Sequence, residues 1–386
     1  MRKILFPVLL AFGSVLGIYA ACGNLSTLNS SKNEEVKVLP IAKREATNEL
    51  PPNWPWRGVT VESRKTRPSD VAYLASIHVN CLRVMMKPPK RANWDKTDPI
   101  ATFYLEVAWA DSIMDACKAV GITTVLCFNH MVLDPKKGFD DKSPEFWSQS
   151  IYRDSSYKMI SWLAKHNMNR GAEFAAYESI GEPGVRAGAK GTVQPPAIED
   201  FYQKALTAFR KYDTKRYFYL SPGPWGKPTN YDNFKGYNIK DDKLIYGAHM
   251  YLPDEYTHQG VKKREAGFTY PGKIKNIDWD KEKIKKCFVS LKAFEKKTNA
   301  LIYIGEFQAI RYAPGADVWV KDVIDAIEEN GFSWTMYAFQ CDQPMWDPYY
   351  ICKNPNADPE KWEFEYQGKN TENWKIFIDA FAKNKK

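Results

Sequence analysis

Two hydrophobic periods take turns along this chain. Short runs rich in Val, Ile, Phe and Tyr read as strands at Arg57–Val61, Asn80–Met86, Ile122–Phe128, Phe174–Ile180, Arg216–Leu220, Leu244–Tyr251, Leu301–Gly305 and Ser333–Phe339. Between them, apolar residues three and four apart predict amphipathic helices at Pro68–Ile77, Phe103–Val120, Pro144–Asn167, Pro196–Tyr212, Asp280–Lys297 and Ala316–Glu329, with Glu372–Lys383 closing the chain. Only the fifth strand lacks a helical pattern after it, because Trp225–Lys240 is polar and loop-like. Eight strands alternating with helices predict an α/β fold, a (β/α)8 TIM barrel. A doubly wound sheet is the rival. It would show a glycine-rich turn after its first strand, and Gly58-Val59-Thr60-Val61-Glu62 has none.

The first residues follow another pattern. Arg2 and Lys3 precede an apolar run from Ile4 to Ala21 that ends in two small residues before Cys22, the layout of a secretory signal. We expect residues 1–21 to be a signal peptide and 22–53, rich in Asn, Ser, Lys and Glu, to be a flexible tether, with one domain over 54–386. Cys22 after the small pair resembles a bacterial lipobox, although Tyr19 stands where that pattern usually has Leu. The expectation is export and a lipid anchor at Cys22 in the cell envelope, periplasmic or on the outer surface; ordinary cleavage near Ala21 or an uncleaved anchor are the alternatives.

Composition narrows the chemistry. The net charge of +9 is spread over predicted helix faces rather than gathered in a stripe, so nucleic acid is not an expected partner. Of the seven cysteines none forms a CxxC or a zinc-spaced cluster, so no metal is expected, and no nucleotide loop suggests an organic cofactor. Cys81 and Cys127 fall inside apolar strands and read as buried thiols; Cys341 and Cys352, in one late loop, are placed to bridge. Aromatic residues make up 14% of the chain, which suits either a large core or a cleft that stacks on sugar rings. A monomer is expected.

In such a barrel the active site forms at the carboxyl ends of the strands. Polar or aromatic residues recur there: Arg83 on the second strand, Asn129 and His130 after the third, Glu182 after the fourth, His249 and Tyr251 on the sixth, Glu306 on the seventh, Trp334 and Tyr337 on the eighth. Glu182 precedes Pro183, which favours an extended backbone before it. Glu306 follows Gly305 in an otherwise apolar strand, where a carboxylate needs a partner or a cleft. Two carboxylates aimed into one cleft are what glycoside hydrolysis requires. The plainer readings are a strand-end cap for Glu182 and a structural ion pair with Arg83 for Glu306.

Tyr177-Glu178-Ser179-Ile180-Gly181-Glu182-Pro183, Ala248-His249-Met250-Tyr251 and Ile304-Gly305-Glu306-Phe307 resemble, in order and spacing, glycoside hydrolase family 5, the cellulase-like retaining (β/α)8 barrels. The resemblance runs from Trp56 to about Phe339. It implies Glu182 as acid/base and Glu306 as nucleophile, with Arg83 and Tyr251 holding the nucleophile and His130 and His249 lining the subsite of the cleaved sugar. The family's eighth-strand platform falls on Tyr337 rather than Trp334; Trp225 and Trp346 are further stacking candidates, with loop packing as the alternative. One position departs: the family has Asn directly before the acid/base, where this chain has Gly181. Either another donor such as Asn129 serves the 2-hydroxyl, or the sugar differs at C2, or activity is weak. The implied function is a retaining, endo-acting hydrolase of β-glucan or mannan, its partner a polysaccharide or oligosaccharide. The alternative is a non-catalytic carbohydrate-binding envelope lipoprotein on a degenerate barrel.

Overall fold

The eight expected strands close on themselves. In the computed structural model, β1 (Arg57–Glu62), β2 (Cys81–Met86), β3 (Thr123–Phe128), β4 (Phe174–Glu178), β5 (Tyr217–Leu220), β6 (Leu244–Met250), β7 (Leu301–Phe307) and β8 (Ser333–Phe339) form one closed barrel. Every neighbouring pair is parallel, and β8 returns to β1. The structure describes residues 44–45, 49–86, 99–128 and 140–384. Asn129, His130, Cys22, the expected signal peptide and most of the expected tether lie outside them. No helix among the described residues is long and apolar enough to cross a membrane.

Alternation along the strands sorts side chains into two layers. One set faces the helices and builds the main core; it includes Leu82, Val84, Ile302, Ile304, Trp334 and Met336. The other fills the barrel interior: Trp56, Cys81, Val125, Ala176, Tyr217, Tyr219, Ile245 and Tyr303. Trp56 and Tyr219 each meet Tyr303 edge-on, at 5.2 and 5.9 Å between centroids. Gly247 makes room for this plug, since a Cβ there would lie 1.9 Å from the Tyr219 ring. The interior is thus packed below the polar residues at the strands' carboxyl ends.

The helices depart from expectation where the backbone breaks. The long helix expected at Pro144–Asn167 is two, Pro144–Ser148 and Ser150–Asn167, separated by extended Gln149. The one expected at Asp280–Lys297 is also two, Lys281–Lys286 and Val289–Thr298, and the Asp280 side chain caps the first by accepting from Lys283 N–H. After β5 there is a short 3-10 turn, Pro228–Tyr231, and the chain bearing Tyr231, Phe234 and Tyr237 packs as an aromatic cluster where a helix would lie. Cys341 and Cys352 do not bridge: the Cys341 thiol donates to the Gln343 carbonyl at 3.1 Å, while Cys352 Sγ lies 3.7 Å from Asn354 Oδ1. The bridge expectation is therefore corrected.

Candidate active site

Glu306 owes its direction to a bulge. On β7, Leu301 and Tyr303 face the interior and Ile302 and Ile304 face the helices, so strict alternation would send residue 306 outward. Ile304 pairs with Ala248 and Glu306 with the next residue, His249, so Gly305 is an extra residue in the strand. Its carbonyl accepts from the Thr335 hydroxyl at 2.7 Å. A Cβ on Gly305 would lie 3.0 Å from His249 Nε2, which leaves glycine as the residue that fits.

The rephased Glu306 carboxylate meets three partners. Arg83 Nη1 donates to Oε1 at 2.6 Å, the Tyr251 hydroxyl donates to Oε2 at 3.0 Å, and His249 Nδ1 stands 3.7 Å from Oε2. Burial raises its pKa, but the charges of His249 and Arg83 and the Tyr251 hydrogen bond outweigh that and hold it below the usual carboxylate value. Glu306 is built to stay ionised.

Arg83 is buried and would be costly there alone. Glu178, on β4, takes two of its donors: Nε at 2.7 Å and Nη2 at 2.8 Å. Nη2 also lies 3.0 Å from Cys127 Sγ, whose thiol burial pushes up in pKa. One guanidinium therefore serves two buried carboxylates.

Glu182 follows the end of β4 and stands across from Glu306. Its Oε1 lies 3.1 Å from His249 Nδ1, and its side chain keeps 27% of its surface, against 11% for Glu306. Burial alone would lower the His249 pKa; Glu306 and Glu182 outweigh it and raise it above the ordinary value. Ligand atoms of Glu182, His249 and Glu306 all lie within 4.8 Å of one another. Each Glu306 oxygen already accepts a hydrogen bond, one from the Arg83 cation and one from Tyr251.

An aromatic wall adjoins the pair. Trp346 meets Tyr251, His258 and Tyr337 with centroids 5.8, 4.8 and 6.5 Å apart, and Tyr337 is half-buried. Burial and the Arg264 charge push His258 down to about 3, so its ring is neutral near pH 7. Trp225 is separate and exposed, with 37% of its surface in solvent.

A family model for cellulase (glycosyl hydrolase family 5) matches residues 48–343. The chain belongs to glycosyl hydrolase family 5. Endoglucanase C of Acetivibrio thermocellus is 23% identical over 257 residues, 58% of this chain and 69% of that protein. Endoglucanase H of the same organism is 24% identical over 230 residues, 59% of this chain and 22% of its own length. Among solved structures, a glycoside hydrolase superposes with a TM-score of 0.62 at 17% identity, covering 86% of this chain and 99% of that one. An endoglucanase from hyperthermophilic Thermotoga maritima gives 0.61 at 16% identity over 85% and 97%. These structures share the fold.

Within this family 5 barrel, Glu182, Glu306, Arg83, His249 and Tyr251 come together as expected from sequence, with Tyr337 and Trp346 beside them. Trp334 does not. It is fully buried near the amino ends of the strands, pairs in register with Arg57, donates to Glu328 at 2.7 Å and packs on Phe307 and Phe381. Its role as a substrate contact is corrected: residue 334 has the outward parity of β8. Sequence reasoning missed Glu178 and His258. Glu178 had a signal, since it lies two residues from inward Ala176 on β4; His258, in a loop, had none.

Gly181 also has a structural account. A Cβ there would lie 3.1 Å from Arg83 Nη2, 3.3 Å from Glu178 Oε1 and 3.5 Å from Cys127 Sγ. The loop that leads into Glu182 passes so close to the Arg83–Glu178 pair that a side chain at residue 181 would press on it.

Proposed function

We propose that this chain is a retaining, endo-acting hydrolase of β-linked glucan or mannan. The observation that carries the reading is the Glu182–Glu306 pair with oxygens within 4.8 Å, well inside the roughly 6.5–9.5 Å that inverting enzymes leave for a water. Glu306, ionised and held by Arg83 and Tyr251, attacks the anomeric carbon as Glu182 gives its proton to the departing glycosidic oxygen. Glu182 then takes a proton from water, which displaces the carboxylate ester of Glu306 and restores both groups. The fold relative from Thermotoga maritima has been solved with cellobiose and with mannotriose, which motivates testing both glycan classes.

Proton NMR of the first product from β-glucan, mannan, xylan and xyloglucan checks this. The β-anomer should appear first on glucan or mannan, with oligosaccharides of mixed length; an α-anomer would refute the retaining mechanism. Gly181 favours a second reading, a binding protein that lost turnover. Intact partners around both carboxylates weigh against it, and glycan binding without products from any substrate would establish it. The amino-terminal pattern supports export with a lipid anchor at Cys22; Cys22→Ala should then move the protein from membrane to soluble fractions.

A further inference from the structure

Lys142 retains only 2% of its surface, yet no strand or helix of the barrel carries it. An ammonium buried to that degree needs partners. Its Nζ donates to the main-chain carbonyl of Glu182, lies 3.8 Å from the Asp141 carboxylate, and sits 5.4 Å from the centre of the Trp225 ring. The Lys142 main chain is fixed as well: its N–H donates to Asp140 at 3.0 Å, its carbonyl accepts from Arg186 N–H at 2.9 Å, and the Arg186 guanidinium grips both Asp140 oxygens.

Trp225 is held with equal care. Its φ of +64° is left-handed, a conformation that bulky side chains seldom adopt. Its N–H donates to the Pro183 carbonyl at 3.0 Å, and the next carbonyl, Gly226, accepts from His249 N–H at 2.8 Å. The main chain at Trp225 and Gly226 is thus tied on one side to the residue after Glu182 and on the other to the main chain of His249, whose imidazole faces the Glu182 carboxylate. A cation near an aromatic face adds attraction that strengthens as water is excluded.

We propose that Lys142 is a positioning residue. It locks the Glu182 main chain and the Trp225 ring into one unit, so that a sugar stacked on Trp225, on the leaving-group side, presents its glycosidic oxygen to the Glu182 proton. This rests on Glu182 being the acid. Lys142 touches no reacting atom; its effect passes through the two residues it holds.

The test compares kcat/KM on unactivated oligosaccharides and on a dinitrophenyl β-glycoside, whose leaving group departs without a proton. Lys142→Met should lower the first by roughly ten- to a hundredfold and the second by less than about threefold, while Lys142→Arg recovers part of the loss. Equal losses on both substrates, or none, would overturn the inference. If Lys142→Met does not fold, Trp225→Leu, altered at an exposed ring, should show the same substrate split, and an unchanged ratio overturns the inference. If the wild-type protein hydrolyses neither substrate, the proposed function falls instead. Titration with cello- and manno-oligosaccharides, followed by tryptophan fluorescence, then decides: weaker binding by Lys142→Met supports the positioning role, and unchanged binding removes it.

Discussion

Arg83 binds Glu178 through two of its nitrogens, Nε at 2.7 Å and Nη2 at 2.8 Å, and so reaches Glu306 with only its third. Glu178 therefore sets the height and tilt of the guanidinium beside Glu306. Arg83→Met leaves buried Glu178 without its cation and Glu306 with His249 alone. It should cost roughly 3–5 kcal/mol in urea unfolding and abolish hydrolysis. A loss below about 1 kcal/mol would contradict the buried pairing described above.

Tyr251 donates to Glu306 at 3.0 Å and helps keep it ionised against burial. Because the folded pKa of Glu306 is depressed, kcat/KM should hold as pH falls to the ordinary carboxylate value of 4.5 and decline only below it. Tyr251→Phe should move that acid limb upward and lower kcat/KM by about tenfold, the worth of one hydrogen bond to a charged group. An acid limb that stays in place would remove Tyr251 from this role.

At Gly181 the space is already taken by Arg83 and Glu178. Gly181→Ala should cost roughly 1–3 kcal/mol, because the ion pair must shift by a few tenths of an ångström. Gly181→Asn should do at least as much harm and reduce turnover rather than improve it. A rise in activity on any β-glycan would show that the pair yields more easily than its contacts imply.

Asp347 is buried in the loop after β8, where burial raises its pKa from 3.8 to about 7 despite the Tyr349 N–H at 2.9 Å. Its folded pKa is above its unfolded one, so the folded state holds an extra proton between those values. Stability should fall as pH rises from about 3.8 toward about 7. Asp347→Asn keeps an acceptor for Tyr349 and removes this slope, so its stability relative to the wild type should be up to about 4 kcal/mol more favourable at pH 8 than at pH 4. Thermal melts of both proteins across that range read the difference.

The barrel was legible because period-two runs alternate with period-3.6 runs, and because the strand-end residues share one edge. What escaped was subtler. Parity would have sent Glu306 outward and does send Trp334 outward; only the Gly305 bulge separates the two cases, and one glycine in a strand is a weak written sign of a bulge. Glu178 was passed over because a strand-interior glutamate looks alike whether it faces a cation or a cleft. Lys142 and His258 sit in irregular loops, where spacing carries no direction. The breaks at Gln149 and Cys287 leave the apolar pattern on both sides intact, so two helices read as one.

The main-chain links Trp225 to Pro183 and His249 to Gly226 join the loop after β4, the loop after β5 and the carboxyl end of β6 in series. An arc stitched in this way cannot flex one member at a time. Glycan should therefore be received by a surface already in its working shape, with association limited by encounter rather than by rearrangement on this side. In hydrogen-exchange measurements, the amides of Trp225 and His249 should open together and slowly, at a rate that bound oligosaccharide changes little.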